Sequence, residues 1–345
     1  MKTDKFQRLE YLDVAKGLLI FLMVWGHVYT DGPLFQYIYS FHMPAFFMIS
    51  GLLFHYSESI KKPILIVLKN KLCSLILPLL FFELFGVLAD ILRFGITLNV
   101  FGYAFNTLTL DCNNGPSWFL WVLFVDEMIF FILRNLINSE FISCAGSALV
   151  GLLLILCDDV FYLQESTGVG LLFLVAGYYL KDFLTQPGNV KTLCIALVIS
   201  LLSNYMNGLT GLGSGNFGNN VILYIIAAVA GTLMIIQLST FITSKLIRYY
   251  GKNTLTIVGT HQTILLPART FFHYEVFPLP VGIGMFTLTL LLEIPLIYLL
   301  NKYVPLFVGK KRPKSPWENL LCLPAYAMVP MVVMLWLLIR MGLWR

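Results

Sequence analysis

Charge is what this sequence lacks most. Of 345 residues only 12% are Asp, Glu, Lys or Arg, about half the share in an average soluble domain. Hydrophobic residues make up 58% and mean hydropathy is +0.82. That excludes an ordinary solvated surface and describes a polytopic membrane protein. There is no basic face with interleaved aromatics, so no nucleic-acid partner is expected. The six cysteines, Cys73, Cys112, Cys144, Cys157, Cys194 and Cys322, include no CxxC pair and read as small buried hydrophobes. No HxxxH or HExxH spacing occurs, so no metal is expected. No internal repeat, low-complexity tract or soluble domain interrupts the chain. The first apolar segment lacks a small-x-small cleavage site and carries Lys16 inside it. It reads as a retained span, not as a signal peptide.

What is present is a series of apolar windows. Stretches of about 20 such residues cross a roughly 30 Å hydrocarbon core. They fall at 12–30, 36–56, 72–92, 117–136, 141–157, 165–181, 191–206, 221–242, 254–272, 280–300 and 320–342. The expected fold is all-α: a single integral-membrane domain over 1–345, with about 10–11 transmembrane helices. The Gly/Asn string at 207–220 reads as a flexible loop. With the N-terminus in the cytoplasm, 19 of the 23 Lys and Arg residues fall on the cytoplasmic side; Arg93, Arg269, Arg340 and Arg345 do not. The positive-inside rule therefore favours that orientation.

An ionisable group within a span is costly unless paired or hydrated, so each is a functional candidate. Here they are Asp13, Lys16, His27, His42, Glu83, Asp126, Glu127, His261, Arg269 and Glu293. Glu293, beside Pro295 and outside any obvious cluster, reads as structural. In the first window Lys16 and His27 stand 11 residues apart, about 16 Å along one helix face. Asp13 lies one turn before Lys16 and is expected to hold its ammonium. Gly17 permits a close approach to the backbone. The short turn after the first span places His27 and His42 at similar depth, with His42 opening the second span. Ser50-Gly51 permits close helix packing.

At these residues the sequence resembles the membrane acyltransferase 3 family. LDVAKGLLIFLMVWGH resembles that family's first-helix motif, in which an Asp precedes a basic residue and a His follows after ten positions. FHMPAFFMISG resembles its second-helix motif, PSWFLWVLFV its WFL segment, and GKNTLTIVGTHQTIL a late helix bearing a His. Together they cover 11–265, and they look most like the fucose 4-O-acetylase branch. Lys16 stands where the wider family usually has Arg, and Lys69 and Lys71 correspond by charge to an arginine pair.

The resemblance implies transfer of an acetyl group from acetyl-CoA, as co-substrate, to a hydroxyl of a sugar or cell-surface glycan. It implies a location in a bacterial cytoplasmic membrane among lipid. The site it implies has His27, as base or transient acyl carrier, with His42, His261 and Asp13. Lys16, Lys69 and Lys71 would face the CoA phosphates. Trp118, opening the fourth span, reads either as a stacking surface for the sugar or as an interface anchor. A transporter or polysaccharide exporter is the alternative from another class, though neither a repeat nor paired broken helices supports it.

Overall fold

The computed structural model describes residues 2–96, 115–157, 163–310 and 313–327. Among the described residues the helices of six or more residues are, in chain order, α1 (Lys2–Val28), α2 (Pro33–Tyr56), α3 (Ile64–Phe94, with a π-helical turn at Leu72–Ile76), α4 (Trp118–Leu136), α5 (Glu140–Leu156), α6 (Gln164–Tyr179), α7 (Val190–Asn207), α8 (Val221–Thr240), α9 (Lys245–Lys252), α10 (Thr254–Phe272), α11 (Leu279–Tyr303) and α12 (Pro316–Leu321). Ten of the eleven apolar windows coincide with one of these helices. The eleventh, 320–342, lies largely outside the described residues, as do Cys112 and most of the connector 93–116.

Seven helices among the described residues are long and apolar enough to cross a membrane: α1, α2, α3, α4, α7, α8 and α11. Two of the other windows form shorter helices, α5 with 17 residues and α6 with 16. The third, α10, is diluted by Thr254, Thr256, Thr260, His261, Gln262 and Arg269.

The polar residues between windows start the helices. Asn189 and Asn220 accept the backbone N–H of Lys191 and Ile222 at 2.9 and 2.8 Å, and Ser139 and Ser244 cap α5 and α9. Ser315 and Glu318 close a capping box on α12. Each cap satisfies N–H groups that the first turn leaves unpaired.

The chain divides into two compact units. The first comprises Met1–Lys61 and Val125–Thr254. In it α2 and α6 meet at glycines: a Cβ on Gly51 would strike the Leu174 carbonyl, and one on Gly177 the Met48 carbonyl. The expectation that Gly51 lets helices close up therefore has a definite partner. The short α9 lies on α1 in the same manner. Gly17 abuts the Ile247 backbone, and Gly251 abuts the Asp13 carbonyl.

The loop read as flexible is pinned at Asn207, which is 1% exposed. Its amide donates to Phe217 O at 2.9 Å, its Oδ1 accepts from Asn220 N at 2.7 Å, and its own carbonyl accepts from Asn219 N at 3.0 Å. Ser166 ties the same loop to α6 by donating to Leu212 O at 2.7 Å. Side-chain amides thus supply the order that apolar residues do not.

The second unit comprises Lys62–Phe124 and Leu255–Arg345. Gly259 of α10 receives the ring of Phe82 on α3, and Thr263 donates to Phe85 O one turn later at 3.1 Å. The Cys73 and Cys322 sulfurs stand 3.0 Å apart at the π-helical turn. Cys73, Cys144 and Cys322 are buried, as small hydrophobes would be, whereas Cys157 and Cys194 are exposed.

Candidate functional site

The first unit carries the hairpin α1–α2. Midway along α1, in the first half of its apolar stretch Glu10–Val28, Lys16 Nζ lies 2.8 Å from Asp13 Oδ1, each side chain about one-fifth exposed. This is the expected pair across one helical turn. The ammonium keeps two further N–H donors after that bond. The structure adds what the connector sequence SKLIRYYGKN did not signal. That segment forms α9, docks on α1, and brings Arg248 to within 2.6 Å of Glu10. Lys245 and Lys252 lie on the same short helix.

His27 is one residue from the C-terminal end of α1. His42 does not open the second helix: it lies nine residues beyond Pro33, about 13 Å along α2. The two histidines are therefore not level, because α2 begins earlier than its apolar window and runs through Pro44. They meet instead through Tyr39. Its ring centroid is 4.8 Å from that of His42 and 6.5 Å from that of His27.

His42 is 3% exposed, and its Nδ1 lies 2.9 Å from the carbonyl of Ile38. A carbonyl can only accept, so Nδ1 carries the proton. In the neutral ring Nε2 is then the acceptor. A buried imidazole with a fixed tautomer can take a proton from one direction only.

The second unit holds His261, Lys69, Lys71 and Trp118. Fully buried His261 repeats the arrangement of His42, its Nδ1 donating to Ile257 O at 2.7 Å. Lys69 is exposed and Lys71 half-buried, immediately before the π-helical turn. Half-buried Trp118 begins α4, edge-on to Phe119 with centroids 6.4 Å apart.

Glu293 is not isolated. Fully buried on α11, it lies with Oε1 and Oε2 2.9 and 3.0 Å from the hydroxyl of Thr260, the neighbour of His261. The only signal in the sequence was a carboxylate where lipid or packing would require none. Glu83 and Glu127 are also buried. Asp126 is fully buried against Gly170 of α6, with no hydrogen-bond partner for either oxygen among the described residues. No group of three His, Cys, Asp or Glu among those residues is placed to hold a metal ion.

The fold and these buried polar groups define a multi-pass helical membrane protein with ionisable chemistry inside its helices. The chain matches the acyltransferase domain family over residues 9–299 and belongs to that family. It is similar to the nodulation protein NolL of Sinorhizobium fredii (strain NBRC 101917 / NGR234), with 29% identity over 158 residues, 41% of each chain. It is also similar to the nodulation protein NolL of Mesorhizobium japonicum, with 30% identity over 153 residues, 39% of each chain. The match thus spans about two-fifths of these curated relatives. No solved structure matches the chain.

Proposed function

We propose that this protein is a membrane O-acyltransferase that moves an acetyl group from acetyl-CoA to a hydroxyl of a sugar or surface glycan. It would act as a single domain over 1–345 in a bacterial cytoplasmic membrane, with its N-terminus inside. The observation that carries the reading is the polarity of α1 in a chain of the acyltransferase family. One helix bears the paired ammonium of Lys16 in the first half of its apolar stretch Glu10–Val28 and His27 at its C-terminal end.

CoA is polyanionic, so its phosphates call for cationic side chains. Lys16, Lys69 and Lys71 are the candidate contacts, and Lys245, Arg248 and Lys252 add positive charge beside α1. The pantetheine arm suits the distance of about 16 Å from Lys16 to His27. In the transfer the acceptor hydroxyl oxygen attacks the thioester carbon. The C–S bond breaks, an imidazole nitrogen takes the hydroxyl proton, and that proton returns to the departing thiolate. His27 serves as this base or as a transient acyl carrier. His42, with its tautomer set, is its partner. Asp13 holds Lys16, His261 is a further buried imidazole, and Trp118 offers the sugar an aromatic face.

The test uses purified protein in lipid nanodiscs, radiolabelled acetyl-CoA and a panel of sugar acceptors, with no solute gradient. Label should move to sugar, and His27→Ala should abolish transfer while the protein still accumulates in membranes. Intact acetyl-CoA in the wild type, or full activity in His27→Ala, would overturn the reading; a transporter or exporter would give the former.

A further inference from the structure

Tyr39 lies in a helix rich in aromatics. Its surroundings are nonetheless specific. Phe35, Tyr39 and His42 recur at i, i+4 and i+7 on α2, so they share one face. Phe35 packs on Tyr39 with its ring tilted by 42° and 4.1 Å between centroids, and His42 follows at 4.8 Å. Across the hairpin the ring edge presses on the α1 backbone at Gly26. A Cβ there would stand 2.8 Å from Tyr39 Cε2, closer than such atoms pack. The residue after that glycine is His27, whose ring lies edge-on to Tyr39 at 71°.

We infer that Tyr39 is a positioning residue: its ring, wedged on Gly26, sets the separation and orientation of His27 and His42. The inference rests on the proposed role of those imidazoles in acyl transfer. The Nδ1 bond to Ile38 ties His42 at one point. A ring so tied can still tilt about that bond, and Tyr39 closes the tilt on the side facing His27. A flat, rigid side chain with two rotatable bonds does this at little entropic cost. Reacting groups displaced by about 1 Å can lose about a hundredfold in rate. The phenol oxygen is not part of the argument, so Phe is the conservative replacement.

The experiment compares Tyr39→Phe, Tyr39→Leu and Gly26→Ala in the nanodisc assay, with His27→Ala and His42→Ala as references. Tyr39→Leu should lower kcat about tenfold to a hundredfold and leave the KM for acetyl-CoA within about twofold. Tyr39→Phe should restore kcat to within about threefold. Gly26→Ala favours the helix intrinsically, yet it should behave like Tyr39→Leu because its methyl displaces the ring. A second readout does not depend on turnover. In protein labelled with 13C at histidine Cε1, the His27 and His42 signals, assigned by their absence from the Ala variants, should shift in Tyr39→Leu and Gly26→Ala. Those of His55, His261 and His273 should stay.

A full kcat in Tyr39→Leu while both Ala variants are inactive overturns the positioning role alone, whether or not the signals move. Equal loss in Tyr39→Phe and Tyr39→Leu overturns it too, since the ring would not then be what matters. Unmoved His27 and His42 signals do the same. Full activity in both Ala variants overturns the histidine chemistry itself, and the positioning role with it.

Discussion

The hydroxyl of Thr260 has one proton and three acceptors within reach: Thr256 O at 2.8 Å and the two carboxyl oxygens of Glu293 at 2.9 and 3.0 Å. Thr260 and Glu293 therefore join α10 to α11 through a polar contact inside the second unit, beside His261. Removing the hydroxyl leaves a buried carboxyl group without this partner, at about 1–3 kcal/mol. Thr260→Val should lower stability by that amount in denaturant titrations of the detergent-solubilised protein. Glu293→Gln should cost less than about 1 kcal/mol, because an amide N–H can donate to Thr260 Oγ1 while the hydroxyl proton stays on Thr256 O. Equal stability of Thr260→Val and wild type would mean that this bond does not hold the helices together.

Helix contacts at glycine give a second contrast. A Cβ on Gly51 would meet the backbone carbonyl of Leu174, which cannot swing aside, whereas one on Gly284 of α11 meets nothing within 4 Å. Gly51→Ala should force α2 and α6 apart and cost about 1–3 kcal/mol, the usual range for overpacking. Gly284→Ala should be neutral or stabilise by up to about 1 kcal/mol through helix propensity. Thermal unfolding of the two variants side by side checks the difference. A fall in Tm for Gly284→Ala as large as that for Gly51→Ala would contradict it.

Asn207 makes the loop after α7 a further test. Asn207→Ala removes the amide donor to Phe217 and the acceptor for Asn220, both inside the first unit. Asn220 also caps α8, so the loss should loosen the loop and fray that helix start. Limited proteolysis should cut within 208–220 at least several times faster than in wild type. Asn207→Asp keeps the acceptor for Asn220 but not the donor to Phe217, and should fall between the two. Unchanged cleavage in Asn207→Ala would show that the loop is held by something else.

How much of this was legible beforehand depended on the range of the forces involved. The windows at 141–157 and 165–181 were found because a helix needs only local apolar residues, and the Asp13–Lys16 pair because it spans a single turn. The docking of α9 was not legible: Gly17 and Ile247 meet at backbone level from opposite parts of the chain, and a glycine does not name its partner. Glu293 looked solitary for the same reason, since Thr260 is 33 residues away. His42 reads from the sequence as opening the second span, whereas the helix begins at Pro33, nine residues earlier. Tyr39 carried no signal at all, as one aromatic among several in PLFQYIYSFH.

Substitution at Lys16 separates a phosphate contact from a structural ion pair. The Lys16–Asp13 pair is partly exposed, and such pairs contribute about 0–1 kcal/mol to stability. Lys16→Ala should therefore barely change Tm. If its ammonium binds a CoA phosphate, the lost charged hydrogen bond is worth about 1.5–3 kcal/mol, and the KM for acetyl-CoA should rise about tenfold to a hundredfold. Lys16→Arg keeps the charge and should stay within about threefold of wild type, the position being a point-charge contact that a guanidinium can replace. Asp13→Asn removes the partner and not the cation, so it should leave the KM nearly unchanged and lower kcat at most modestly. Added salt should raise the wild-type KM by screening and raise that of Lys16→Ala less. An unchanged KM together with a large fall in Tm in Lys16→Ala would assign Lys16 to the fold and remove it from the donor site.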